Sequence, residues 1–278
     1  MTLAAHGWEI ELLPESGGAI AALRHGGHDV LRPAGPGTTD PLKTACFPLV
    51  PYANRIADGQ FDFGGRPIRL PRNFGDHPHS LHGIGWQSAW TVAPIGDAHA
   101  VLHHAHGGGD DWPWAYRAEQ RIALEPARAT ITLSLTNLAG EPVPVGLGLH
   151  PYFPREAATR LTARSEGLWL ADSMMLPTEP APADRFGDWG KGAAVEGDGL
   201  IDHAYEGWDG VASIEQHWGT VRIEARGAAA FHLYRPPGAD FFCFEPVSHL
   251  PDAINRGGMP MVAHGETVAL EITLMVER

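Results

Sequence analysis

Residues 121–135 read Arg121-Ile-Ala-Leu-Glu-Pro-Ala-Arg-Ala-Thr-Ile-Thr-Leu-Ser-Leu135. Apolar and polar side chains alternate on either side of the central Glu125-Pro-Ala-Arg128, and a period of two is typical of a strand with one buried face. The proline in the interruption favours a turn. The stretch therefore predicts a β-hairpin in which Arg121–Leu124 pairs with Thr130–Leu135.

The strand pattern continues outward from this hairpin in both directions. Toward the start of the chain, short apolar-rich segments broken by glycine and proline predict an opening meander of Trp8–Leu13, Ala19–Leu23 and His28–Leu31. Near the other end, Thr267–Val276 has alternating character and predicts a long closing strand. The 34 glycines and 24 prolines favour many turns, and few segments hold a helical period. These features predict an all-β fold.

The domain organisation is expected to be simple. The sequence has no internal repeat at a fixed period and no shift in composition that would mark a boundary. Residues 1–278 are therefore predicted to form a single domain, a large antiparallel β-sandwich with few short helices. Pro177–Gly199 is the least regular region, rich in Pro, Ala, Gly and Asp, and a loop of this length is usually functional or mobile.

Charge and composition exclude several classes of partner. The formal net charge of −13 disfavours binding to nucleic acid or to an anionic membrane surface. The sequence has no apolar run long enough for a membrane span and no signal-peptide pattern at its start. Cys46 and Cys243 form no CxxC pair, so neither a disulfide framework nor a metal knuckle is predicted. We expect a soluble cytoplasmic protein, as a monomer or homodimer.

One carboxylate lies in an apolar setting. Glu245 is part of Phe241-Phe-Cys-Phe-Glu-Pro-Val247, a predicted strand with at least one buried face. Burial without a partner raises the pKa of a carboxyl toward the range useful to a general base. The alternative is that Glu245 points to solvent or is paired in the core. His150, at the end of the apolar run in Gly146-Leu-Gly-Leu-His150-Pro-Tyr-Phe153, favours the first interpretation, because the two residues suggest a base and an acid.

Polar residues in three further segments are candidates for ligand binding. Arg55 follows an apolar run in Pro51-Tyr-Ala-Asn54-Arg55-Ile; its planar guanidinium either reaches solvent or holds a ligand oxygen. His82 closes the segment His77-Pro-His79-Ser-Leu-His82. Asp202, in Leu200-Ile-Asp202-His203-Ala-Tyr205, is either a turn or capping residue or an acceptor for hydroxyls in a pocket.

The histidine clusters raise the question of a metal. His77, His79 and His82 invite this interpretation, since the pattern His-x-His places two rings on one side of a strand. However, Pro78 disrupts a regular strand, and no nearby group of Asp, Glu or Cys completes a site. His103-His104-Ala-His106 is more consistent with a solvated loop. We therefore predict no metal, and a metal-dependent hydrolase is the weakest of the functional alternatives.

Five short motifs follow one another along most of the chain. They are Asn54-Arg55-Ile with Gly59-x-Phe61, Ser80-Leu81-His82-Gly83, Leu149-His150-Pro-Tyr-Phe153, Asp202-His-x-Tyr205, and Phe244-Glu245-Pro-Val followed by Pro251-Asp-Ala-Ile-Asn255. In this order and spacing they resemble the aldose 1-epimerase (galactose mutarotase) family. The resemblance implies a large antiparallel β-sandwich, the galactose mutarotase-like supersandwich. It also implies His150 as general acid, Glu245 as general base, and Arg55, His82 and Asp202 as sugar-binding residues.

The implied reaction interconverts the α and β anomers of a hexose. It opens the hemiacetal, rotates the aldehyde and closes the ring again, which requires one acid and one base and no cofactor. Trp86, Trp112, Trp114 and Tyr152 are either core residues or ring faces for the sugar. Asp202 favours a neutral sugar. A hexose 6-phosphate or another modified sugar is the alternative substrate, because three further basic residues could bind its charged group: Arg66, Arg69 and Arg72. A non-catalytic sugar-binding protein of the same fold is a further alternative.

Overall fold

A computed structural model describes residues 1–94 and 96–277. These residues form 27 strands. The first fourteen are β1 (Thr2–Ala5), β2 (Trp8–Leu13), β3 (Ala19–His25), β4 (His28–Leu31), β5 (Pro48–Leu49), β6 (Arg55–Ile56), β7 (Gln60–Phe63), β8 (Arg66–Arg69), β9 (Ser80–Leu81), β10 (Thr91–Pro94), β11 (His99–Gly107), β12 (Ala115–Glu125), β13 (Arg128–Asn137) and β14 (Val143–Pro144). The others are β15 (Gly148–Leu149), β16 (Tyr152–Pro154), β17 (Arg160–Ala163), β18 (Gly167–Ala171), β19 (Pro177–Ala181), β20 (Ala193–Ala194), β21 (Ile201–Glu206), β22 (Val211–Gln216), β23 (Gly219–Arg226), β24 (Ala230–Arg235), β25 (Phe241–Val247), β26 (Met261–Val262) and β27 (Thr267–Glu277).

Helical structure in the described residues is limited to short segments. There is one α-helix, α1 (Ala253–Arg256), and there are four 3₁₀ turns, Pro41–Lys43, Ala57–Gly59, Gly85–Gln87 and Trp189–Lys191. No helix in the part of the chain that the structure describes has the length and apolarity needed to cross a bilayer. The all-β prediction is confirmed.

Two large antiparallel sheets dominate the architecture. The larger has nine strands in the order β10-β11-β12-β13-β27-β23-β22-β17-β20. The smaller has eight strands, seven in the order β19-β18-β21-β24-β25-β15-β5 and an eighth, β16, that pairs with β25. Strands β1 to β4 form a separate four-stranded meander, and three two-stranded ladders complete the structure. The predicted sandwich of antiparallel sheets is therefore present.

The hairpin predicted from residues 121–135 is found where the sequence places it. Strands β12 and β13 pair antiparallel with Glu125 opposite Arg128, so that Pro126 and Ala127 form the turn. The inward side chains Ile122, Leu124, Ile131 and Leu133 are buried in the main core. The strands extend further than the sequence predicted. The closing strand β27 pairs with β13 and is also longer than predicted by one residue.

The region predicted as an irregular loop contains regular structure. Strand β19 pairs with β18, β20 pairs with β17, and a 3₁₀ turn lies between them. Arginine side chains support the stretch before Gly199: Arg235 donates to the backbone oxygens of Glu196 and Gly199, and Arg155 donates to the oxygen of Gly197. Hydrogen bonds from arginine side chains, and not a periodic pattern of apolar residues, stabilise this segment. The composition of the segment therefore did not predict its regular structure.

Candidate active site

Strand β25 has two buried faces with different chemistry. Phe242 and Phe244 belong to the main hydrophobic core, whereas Cys243 and Val247 belong to a second, smaller cluster on the opposite face. Glu245 shares this second face because side chains alternate along a strand. It is only 2% exposed. The interpretation that Glu245 points to solvent is therefore wrong.

The register of the sheet places a histidine on each side of Glu245. On one side, His232 of β24 pairs directly with Glu245. On the other side, β15 and β16 both pair with β25 in one register, so His150 between them falls opposite Glu245; the flanking pairs are Gly148–Val247 and Tyr152–Cys243. His150 Nε2 lies 3.3 Å from Glu245 Oε1. A base and an acid predicted from two distant motifs are thus in direct contact.

Burial shifts both members of this pair toward their neutral forms. It raises the pKa of Glu245 to about 7, an effect reinforced by Asp202 and opposed by His232 and Arg55. It lowers the pKa of His150 to about 3. At a pH between these two pKa values, Glu245 and His150 together hold one proton.

Aromatic packing fixes the imidazole of His150. The ring of Phe47 stacks on one face at a centroid distance of 4.5 Å, and the ring of Tyr152 stacks at 4.9 Å. His82 approaches edge-on at 5.5 Å. Such contacts hold the imidazole in one orientation, and each contributes about 0.5–1.5 kcal/mol beyond the area it buries.

Asp202 lies on the same face as Glu245, two strands away along the sheet. Its Oδ1 is 2.5 Å from His232 Nε2, and its Oδ2 is 3.8 Å from Arg55 Nη2. Burial raises the pKa of Asp202, but the hydrogen bond and charge of His232 and the charge of Arg55 outweigh it, so the net shift is downward. Asp202 is therefore a buried anion, and not a turn or capping residue.

Arg55 is held at the pocket by its neighbour in sequence. Asn54 Oδ1 accepts hydrogen bonds from the backbone N–H of Arg55 and from its Nη1. The guanidinium therefore does not extend into solvent. Its Nε is buried and has no hydrogen-bond partner among the described residues.

His82 has a defined tautomer. Its Nδ1 accepts a hydrogen bond from the backbone N–H of Asn54, while its own backbone N–H donates to the oxygen of Asn54. Burial, and then the neighbouring His150, lower the pKa of His82 well below its ordinary value. The ring is neutral with the proton on Nε2, so His82 is a hydrogen-bond donor on its free side.

One cavity of about 300 Å³ contains all five predicted site residues. Its lining combines polar and apolar side chains: Leu42, Asn54, Arg55, Phe74, Leu81, His82, His150, Tyr152, Asp202, His232, Tyr234, Phe241 and Glu245. Of the aromatic candidates, only Tyr152 is in this lining. Trp86, Trp112 and Trp114 are buried core residues.

His232 is the residue that sequence reasoning missed. It is buried, it contacts Asp202, and its Nδ1 lies 3.4 Å from Asn54 Nδ2. Burial lowers the pKa of His232, but the hydrogen bond and the charge of Asp202 outweigh this and raise it overall. Its position in the sequence could have indicated it. His232 is an isolated polar residue in the apolar segment Ala230-Phe-His-Leu-Tyr234, just as Glu245 is in Phe241–Val247.

The two histidine clusters of the sequence do not form a metal site among the described residues. His82 lines the cavity, whereas His79 Nδ1 faces the backbone N–H and carboxylate of Asp58. His77 Nδ1 lies near the backbone N–H of His79. His103, His104 and His106 lie on strand β11, so the prediction of a loop there is wrong. Within the described residues, neither group converges on a common metal position.

Comparison with known proteins gives a consistent family assignment. The family model for aldose 1-epimerase matches residues 4–274. The YphB protein of Escherichia coli K12 is 32% identical over 95% of this chain and 94% of its own length. A solved structure from E. coli K12 has a TM-score of 0.91 at 32% identity, with 99% of this chain and 98% of that chain covered. A galactose mutarotase-like protein from Clostridium acetobutylicum, at 22% identity, has a TM-score of 0.86 over 100% of this chain and 94% of its own, which supports the fold alone.

The family model matches almost the whole sequence, and the relatives align over nearly their full lengths and share the fold. The chain belongs to the aldose 1-epimerase family.

Proposed function

We propose that the protein is an aldose 1-epimerase that interconverts the α and β anomers of a hexose. Glu245 is the general base and His150 the general acid. Arg55, His82 and Asp202 bind the sugar hydroxyls. The observation that carries this proposal is the contact of 3.3 Å between His150 Nε2 and Glu245 Oε1 inside a cavity of monosaccharide size.

The proposed step moves two protons and breaks one bond. Glu245 takes the proton of the C1 hydroxyl, the bond from C1 to the ring oxygen breaks as the C1 carbonyl forms, and His150 protonates the ring oxygen. The aldehyde rotates about the C1–C2 bond, and the same transfers run backward on its other face. Before opening, the proton of the pair is on His150; in the open form, it is on Glu245. The pair therefore needs one proton in total. Burial favours this one-proton state with the proton on Glu245, so the proton passes to His150 before the ring opens.

The charges at the cavity support a neutral sugar. Arg55 is the single lysine or arginine among the described lining residues, and it lies near the carboxylate of Asp202. Three arginines suggested a phosphorylated sugar as the alternative substrate, but they lie elsewhere. Arg66, Arg69 and Arg72 do not line the cavity, and Arg66 pairs with Glu141. The carboxylate of Asp202 beside Arg55 would repel a phosphate group.

Polarimetry tests the activity directly. Freshly dissolved α-D-glucose and α-D-galactose are followed to their equilibrium rotation with and without protein. We expect the protein to accelerate at least one of them in proportion to its concentration. A parallel assay with a hexose 6-phosphate examines the alternative substrate class. Binding of a sugar without acceleration of any of these anomers would instead support the non-catalytic alternative.

The pH dependence of kcat/KM follows from the shared proton. Above a pH of about 7 the pair loses this proton, so no acid remains and kcat/KM falls as the pH rises. Below a pH of about 3 the pair holds two protons and no base remains. We expect a plateau between these values, measured by polarimetry after subtraction of the uncatalysed rate at each pH. A rate that keeps rising from pH 6 to pH 9 would contradict the one-proton state.

A further inference from the structure

A third potential metal ligand lies beside the proposed catalytic pair. Cys243 is two residues before Glu245 on β25 and projects from the same face of the strand. The ligand atoms of His150, Cys243 and Glu245 all lie within 4.8 Å of one another, and all three residues are buried. The acid–base reaction makes no use of this thiol.

We propose that His150, Cys243 and Glu245 form a binding site for a thiophilic divalent cation such as Zn²⁺, and that the ion inhibits the enzyme. Imidazole nitrogen, thiolate sulfur and carboxylate oxygen are the three kinds of ligand that zinc uses in proteins. The inhibition rests on the proposed function, because the ion takes the two atoms that transfer protons. The binding itself does not depend on it.

The separations suit a tetrahedral ion after a small adjustment. Bond lengths of about 2.0–2.3 Å to nitrogen, oxygen and sulfur place tetrahedral ligands roughly 3.3–3.6 Å apart. The distance of 3.3 Å from His150 Nε2 to Glu245 Oε1 already has this value. Cys243 Sγ is within 4.8 Å of both, so it approaches by about an ångström or less on binding. Glu245 and His150 line the cavity, which leaves the fourth position to water or a sugar oxygen.

Charge balance supports the same site. The thiol of Cys243 loses its proton to solvent when the metal–sulfur bond forms, and Glu245 binds as the carboxylate. One divalent cation, one thiolate and one carboxylate have no net charge together, which reduces the cost of burying them. The ligands also come from a rigid part of the sheet: His150 stacks against two aromatic rings, and the other two residues share one strand.

The test compares the two cysteines of the chain. Both are fully buried and free, and Cys46 is not part of the three-residue group. Protein treated with EDTA is titrated with ZnCl₂ during polarimetry. We expect at least a tenfold loss of activity at stoichiometric to low excess zinc, reversed by EDTA. Cys46→Ala is expected to keep this sensitivity, whereas Cys243→Ala keeps the activity but needs at least tenfold more zinc for half inhibition.

A second measurement does not depend on turnover. Co²⁺ bound to a thiolate gives a charge-transfer band in the near ultraviolet, which histidine ligands alone do not give, so the other histidines of the chain do not interfere. We expect the band in the wild type and in Cys46→Ala, and its loss in Cys243→Ala. If Cys243→Ala does not fold, Cys243→Ser is used in its place, with circular dichroism as the check.

The outcomes separate this proposal from the proposed function. Equal zinc sensitivity of Cys243→Ala and the wild type, or absence of the cobalt–thiolate band, would overturn the metal site even if the enzyme is an active epimerase. A band that requires Cys243, in a protein that accelerates no sugar, would support the site while it removes the proposed activity.

Discussion

Glu245→Gln is expected to lower kcat for mutarotation by about 10²–10⁴-fold, the usual contribution of a general base. Glutamine has nearly the same shape and occupies the same buried position on β25, but its amide cannot take the proton of the C1 hydroxyl. Because sugar binding is assigned mainly to Arg55, His82 and Asp202, we expect KM to change by much less than kcat. Initial rates over a range of α-D-glucose or α-D-galactose concentrations give both constants.

The stability of the same variant separates a chemical defect from a folding defect. The pKa of Glu245 is raised to about 7 by burial, so at pH 8 the wild type holds an ionised carboxylate that destabilises the fold. Glutamine removes that charge, and we expect Glu245→Gln to unfold at pH 8 at a temperature no lower than the wild type. Glu206→Gln is the matched control, since Glu206 bonds the indole N–H of Trp169 outside the cavity lining and should leave kcat unchanged. Wild-type rates in Glu245→Gln would exclude it as the base.

The fold was predictable because its signal is local. Alternation in β12, β13 and β27 and the turn at Pro126-Ala127 follow from the period of the sequence, and the structure has these elements within a few residues. The order of the strands in the sheets was not predictable in this way. Strand β27 lies between β13 and β23, and such long-range pairing depends on the complementarity of whole faces and not on any short pattern.

The candidate site shows the same division. Glu245 could be proposed because it is a carboxylate in an apolar strand, and His150 because it ends an apolar run, whereas Asp202 was proposed through the family resemblance. Their proximity could not, since it results from the register that places β15 and β16 against β25. His232 was missed for a related reason: it belongs to none of the motifs on which the family resemblance rests, and its contact with Asp202 exists only once β24 pairs with β21.

His150→Asn is expected to lower kcat by about 10²–10⁴-fold, the contribution of the acid. Asparagine keeps a hydrogen-bond donor near Glu245 but cannot carry the proton that the ring oxygen receives. The variant also loses the stacking on Phe47 and Tyr152, so a moderate loss of thermal stability is expected. His203→Asn is the control, because His203 lies next to Asp202 on β21 but stacks on Phe186 and is not in the cavity lining. If both variants lose the same activity, the effect at His150 is not specific to the acid.

The double variant distinguishes two independent catalysts from one pair that shares a proton. If Glu245 and His150 work as one pair that holds a single proton in each state, either substitution alone already removes the one-proton state. The combination Glu245→Gln with His150→Asn is then expected to be no slower than the slower single variant, within a few-fold. Two independent groups would instead give losses that multiply, to about 10⁴–10⁸-fold if each contributes as a single acid or base does. Losses that multiply in this way would contradict the one-proton pair proposed for His150 and Glu245, whose Nε2 and Oε1 atoms lie 3.3 Å apart.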